Sequence, residues 1–78
     1  MKKIPVTLSK VESGREVTLK SINGGRLLKA KLYHMGLIPG TKLFILSREH
    51  CGRTMLRVRD SNFALGHGMA EKITVEQS

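Results

Sequence analysis

The sequence predicts a mainly β fold with one inserted helix, a small, partly open barrel of about five strands. Three observations carry this. Short apolar runs recur along the chain, separated by clusters of Gly, Asn, Asp and Ser. One longer stretch, 26–35, has its apolar residues at helical spacing. The chain has 78 residues, so one small domain, 1–78, is expected, and its strands leave bare edges unless the sheet curls towards closure.

The elements follow in order. Leu8 and Val11 stand three apart, and Ser9 precedes Glu12 at capping-box spacing, which predicts one helical turn ended by Ser13-Gly14. Residues 15–22 alternate, with Val17 and Leu19 on one face. Ile22 breaks the parity and predicts a bulge or the end of the strand. Asn23-Gly24-Gly25 is a loop by composition. The helix then begins, built from strong helix formers. At about 100° per residue Leu28, Leu32 and Met35 make one stripe, assigned to the core. Leu27, Ala30 and His34 fall on a neighbouring face, where Leu27 either covers the barrel rim or belongs to a docking patch.

A hinge of Leu32, Met35, Gly36, Leu37, Pro39 and Gly40 follows. Gly36 stands where a helix C-terminal cap needs a left-handed residue, which glycine supplies for lack of a Cβ. Leu37 is expected to fold back on the last helical turn, Pro39 to stop the helix, and Gly40 to allow a tight entry to the next strand. In that strand, 42–46, Leu43 and Ile45 point one way and Phe44 and Leu46 the other, so it is central or covered by the helix. Residues 47–53 read as a polar hairpin loop. In 54–59 Leu56 and Val58 face inward, Arg57 and Arg59 outward. Asp60-Ser61-Asn62 is a turn, 63–65 a short strand, Gly66-His67-Gly68 a corner, 69–71 a helical turn and 73–75 the closing strand.

Composition narrows the function. Fourteen Lys and Arg face six Asp and Glu, a net charge of +8, scattered without a block of one sign. Anionic partners are favoured: nucleic acid, acidic protein surfaces or an anionic lipid leaflet. The single cysteine, Cys51, excludes an internal disulfide and fits a reducing compartment. No apolar run is long enough to span a membrane, and residues 4–10 are too short and polar for a signal peptide core. A cytoplasmic location without membrane insertion is expected.

Catalytic chemistry finds little support. A nucleophile needs a base and an orienting group. The chain offers Cys51 beside His50, and neighbouring side chains point apart. Gly66-His67-Gly68 lacks the strand and helix context of a dinucleotide fingerprint, and no Walker loop is present. No enzyme activity and no cofactor are expected. A structural zinc site wants four ligands in paired spacings, which the sequence does not offer. Sharing of a metal between subunits through His34, His50, Cys51 or His67 stays open. Nucleic-acid binding is the rival class, since Arg57 and Arg59 on one face suit a phosphate track. But Phe44 and Phe63 are expected to pack internally, which leaves Tyr33 and no stacking platform, so no specific nucleic acid is expected. A third class is self-association through an edge at Phe63-Ala64-Leu65.

The stretch Lys31-Leu32-Tyr33-His34-Met35-Gly36-Leu37-Ile38-Pro39-Gly40 resembles the Arg-Leu-x-x-Leu-Gly-Leu-x-Pro-Gly signature of the ferrous iron transport protein A (FeoA) family. Leu56-Arg57-Val58, Ala64-Leu65 and Ala70-Glu71-Lys72-Ile73-Thr74-Val75 resemble that family's ending, and Leu8, Gly14, Val17 and Gly24-Gly25 its opening. Lys31 replaces the usual Arg and loses its bidentate fork. His34 stands for a common Glu, and Met35 for Leu, a tolerable core exchange. The resemblance implies an SH3-like barrel in the cytoplasm. It implies a non-catalytic accessory protein that binds the cytoplasmic G-domain region of a membrane ferrous iron transporter. Similar domains end some iron-dependent repressors; with no room for a helix-turn-helix domain, this chain looks like the stand-alone form. The alternative is a small basic barrel that binds RNA or DNA. The docking face is expected on the helix: Leu27 and Ala30 lie off the core stripe, Lys31 adds positive charge beside them and His34, and Tyr33 marks the margin.

Overall fold

A computed structural model describes residues 5–49 and 52–77. Strand β1 spans Pro5–Thr7, a 3-10 turn Leu8–Lys10, β2 Glu16–Ile22, helix α1 Arg26–His34, β3 Lys42–Arg48, β4 Thr54–Val58, β5 Ser61–Leu65, the short helix α2 His67–Ala70 and β6 Ile73–Gln77. The strands form one antiparallel sheet in the order β1-β6-β2-β3-β4-β5. The end strands β1 and β5 are not paired with each other, so the barrel stays partly open. This is the fold class the sequence predicts, mainly β with one inserted helix.

The alternation seen in the sequence supplies the core. Val17 and Leu19 of β2, Leu43 and Ile45 of β3, and Leu56 and Val58 of β4 are all buried. Ile73 and Val75 of β6 join them, and Leu8 and Val11 close one end. The bulge expected near Ile22 is present: the register of β2 against β6 shifts between Leu19 and Ser21, which returns Ile22 to the inner face. From α1, Leu32 is fully buried, while Leu28 and Met35 pack half-buried against the core.

Four local expectations are corrected. Residues 5–7 form a sixth strand, with Val6 opposite Val75. Three residues are too few to show alternation, and Pro5 is tolerated there because the strand is an edge. The hairpin between β4 and β5 turns at Arg59-Asp60, not at Asp60-Ser61-Asn62, since Val58 pairs with Ser61 and Arg57 with Asn62. Arg59 is therefore a left-handed turn residue at φ 57° and not part of the strand. The last helical turn begins earlier, so His67 and Gly68 open α2 in place of a corner. Phe44, expected inside, faces outward at 39% exposure. No helix covers that face of β3, because α1 gives its apolar stripe to the core on the other side. Phe63 does pack against the core, half-buried.

Candidate docking surfaces

The hinge sets out both surfaces that matter. Gly36 has φ 89° and donates its N–H to the Tyr33 carbonyl at 2.9 Å; Leu37 donates to the Leu32 carbonyl at 2.9 Å. This pair of bonds is a Schellman cap, and it buries Leu37 completely beneath the helix end. Residues 38–41 then make a type II turn: Thr41 donates to the Ile38 carbonyl at 3.1 Å, Pro39 leads, and Gly40 takes φ 95°. The turn is tied to β2, with Gly40 N–H on the Leu19 carbonyl at 2.7 Å and Leu19 N–H on the Thr41 carbonyl at 2.8 Å. The helix end and the turn are thus held against the sheet by backbone bonds.

The first surface is the outer side of α1. Leu27, Ala30, Lys31 and His34 lie at i, i+3, i+4 and i+7, one continuous stripe, and all are exposed. Leu27 is 87% exposed, so it does not cover the barrel rim. Tyr33, at 43%, stands at the margin on the far side of Ala30. The stripe carries one lysine, Lys31. Among the described residues, the carboxylates of Glu12, Glu49 and Glu76 pair with Arg15, Arg53 and Lys20, and Glu71 lies 3.1 Å from His67. None reaches Arg26, Lys29 or Lys31, and α1 carries no acidic residue. Such exposed pairs contribute little to stability. Their meaning here is which cations they leave uncompensated.

The second surface was only half legible. An open cleft of about 710 Å³ lies on the outer face of the sheet. Ile38, Pro39 and Phe44 supply its apolar part, and Lys42, Arg57 and Arg59 bring positive charge against the single carboxylate of Glu16. Phe44 sits directly across the ladder from Arg57. Ile38 is 43% exposed. The sequence marked Arg57 and Arg59 as a basic face but missed Ile38 and Phe44. The available signal was the double-sided apolar pattern of 42–46, which implies a partner for the outer side whenever no helix lies there.

Among the described residues no three of His, Cys, Asp and Glu converge where a metal ion would sit. His34 is on the exposed face of α1 and His67 at the start of α2. His50 and Cys51 lie outside the described residues. No helix among the described residues is long and apolar enough to cross a membrane. Arg48, part of the apparent surface charge, has a structural role: its Nη2 donates to the Leu8 carbonyl at 2.8 Å and its Nη1 to the Ser9 carbonyl, clamping the 3-10 turn to β3.

Comparison with known proteins adds to this geometry. The FeoA domain family matches residues 6–77. A relative from Methanocaldococcus jannaschii, named "Putative Fe(2+) transport protein A", is 34% identical over 71 residues, covering 91% of this chain and 85% of its own. The crystal structure of an iron uptake regulatory protein (FeoA) superposes with a TM-score of 0.88 at 31% identity, over 96% of this chain and 100% of that one. A FeoA-like protein from Clostridium acetobutylicum, solved by NMR, gives a TM-score of 0.84 at 28% identity, over 99% of this chain and 90% of the other. These neighbours share the SH3-like fold.

Proposed function

Because the chain belongs to the FeoA domain family, a family linked to Fe(2+) transport, we propose that it is a non-catalytic, cytoplasmic accessory protein of ferrous iron transport. It acts as one domain and docks on the cytoplasmic G-domain region of the membrane transporter through the outer face of α1. The observation that carries this reading is Leu27. An 87% exposed leucine beside Ala30, on a stripe whose lysine, Lys31, has no ion-pair partner among the described residues, is apolar area the fold itself does not use. Burying that side chain in a partner's pocket contributes roughly 1.5–3 kcal/mol, the size of an interface hot spot. Lys31 steers the face towards an acidic surface and speeds encounter. The G domain holds the nucleotide in this scheme, which agrees with the lack of a phosphate-binding loop in the sequence.

The test is ferrous iron uptake by cells from which this chain has been deleted. The parent chain restores uptake. The double variant Leu27→Ser with Lys31→Glu, first checked for an unchanged thermal melt, does not. Full restoration by the folded double variant removes α1 from the role.

A further inference from the structure

We propose that the cleft between the 38–41 turn and the outer face of β3 and β4 is a second docking site, for an acidic, extended segment of a partner protein. One apolar side chain of that segment seats between Ile38 and Phe44, and its flanking carboxylates meet Lys42, Arg57 and Arg59. The site is independent of α1 and of the identity of the transporter.

The first support is the cleft's chemistry. Ile38 and Phe44 are large apolar side chains left 43% and 39% exposed side by side with Pro39 in one concavity. The volume, about 710 Å³, is within the roughly 300–1,000 Å³ typical of ligand sites. Three cations line it against one carboxylate, and none of the three has an ion-pair partner among the described residues. Arg57 donates from Nε to the Asn62 Oδ1 at 3.3 Å, which orients its guanidinium and leaves the terminal nitrogens for a carboxylate.

The second support is backbone strain. Arg59 occupies the left-handed region, at φ 57°, in a two-residue hairpin turn where glycine or asparagine is the ordinary choice. The chain keeps a strained position that places a cation in the lining of the cleft. The third support is preorganisation. The turn is pinned by backbone bonds to β2, and β3 is paired on both sides, so little ordering accompanies binding.

The same features select the occupant. With β3 between β2 and β4, no backbone edge is open here, so the segment binds through side chains and not as an added strand. A second copy of this chain fits poorly: four of its six carboxylates, Glu12, Glu49, Glu71 and Glu76, already face Arg15, Arg53, His67 and Lys20, and a fifth, Glu16, lines this same cleft. A nucleic acid strand fits less well, because one exposed phenyl ring, Phe44, beside Ile38 and Pro39 is not a stacking platform.

The experiment uses the full chain, isotopically labelled, followed by amide chemical shifts. The probes are a short blocked peptide of aspartate and glutamate around one central leucine, the same peptide with serine for leucine, and oligouridylate. Expected are saturable shifts at Ile38, Thr41, Phe44 and Arg57, and at least tenfold weaker binding of the serine peptide. Arg57→Glu and Phe44→Ser, each with its melt checked, weaken the leucine peptide at least tenfold. Arg59→Gly weakens it at least threefold without lowering the melting temperature, a result a purely structural Arg59 does not produce. The Leu27→Ser, Lys31→Glu variant binds the peptide as the parent does, which separates this site from the α1 face. Shifts elsewhere or none, equal binding of the two peptides, or oligouridylate binding the cleft as tightly as the leucine peptide overturns the proposal.

Discussion

Gly36→Ala isolates the energy of the hinge. Gly36 has φ 89°, and a Cβ built there meets nothing within 4 Å. The substitution therefore introduces no clash with the rest of the fold; its effect is backbone strain alone. Placing an L-residue in the left-handed region costs roughly 1–2 kcal/mol. Replacing glycine also removes freedom from the unfolded chain, which returns roughly 0.4–1 kcal/mol. The net expectation is a loss of about 1 kcal/mol, which for a domain of this size lowers the melting temperature by roughly 4–8 °C. Gly36→Val loses more, because a β-branched residue tolerates positive φ least. Gly36→Asn loses less than Ala, because asparagine visits this region. Gly68, inside α2, provides the control: it too has open space around an added Cβ, but its φ is not positive. Gly68→Ala should therefore hold or slightly raise stability. Urea and thermal melts of the four variants make the measurement. If Gly36→Ala melts with the parent, or if Gly68→Ala loses as much, the cap is not what holds this helix end.

Other outcomes follow from burial and bonding. Leu32→Ala, at a fully buried site, loses roughly 2–5 kcal/mol, while Leu27→Ala, at an 87% exposed one, stays within about 0.5 kcal/mol of the parent; urea melts compare them. Arg48→Ala loses about 1 kcal/mol through the two carbonyls of the 3-10 turn it releases, read from thermal melts and from faster amide exchange at Val11, which bonds within that turn. Cys51→Ser folds as the parent and supports iron uptake equally, because the sequence places this residue in a polar loop without a nucleophile's partners; loss of a bound metal or of uptake contradicts this.

The parts of the fold that were legible in the sequence are those with short-range causes. Gly36, Leu37 and Pro39 announce a helix end because capping is decided within six residues. Leu28, Leu32 and Met35 announce a core stripe, and Ile22 a bulge, because periodicity is local. What escaped depends on distant partners. Pro5–Thr7 is a strand only because β6, some seventy residues on, lies beside it. Arg48 looks like surface charge until its reach to the Leu8 carbonyl is seen. Asp60-Ser61-Asn62 has turn composition, yet the pairing of Arg57 with Asn62 moves the turn to Arg59, at a strained φ that propensity disfavours. Of the two surfaces, the α1 stripe follows from helical geometry alone. The cleft does not, since Phe44 has the same hydrophobicity inward or outward, and only the position of α1 decides which.

Calorimetric titration of the transporter's isolated cytoplasmic G-domain region tests the proposed docking through α1. The parent chain should bind saturably. Leu27→Ser with Lys31→Glu, folded and melting as the parent, should lose about 2 kcal/mol or more, roughly thirtyfold in affinity. Arg57→Glu, on the other surface, serves as the comparison. A folded double variant that binds the G-domain region as tightly as the parent rules out α1 as the docking face.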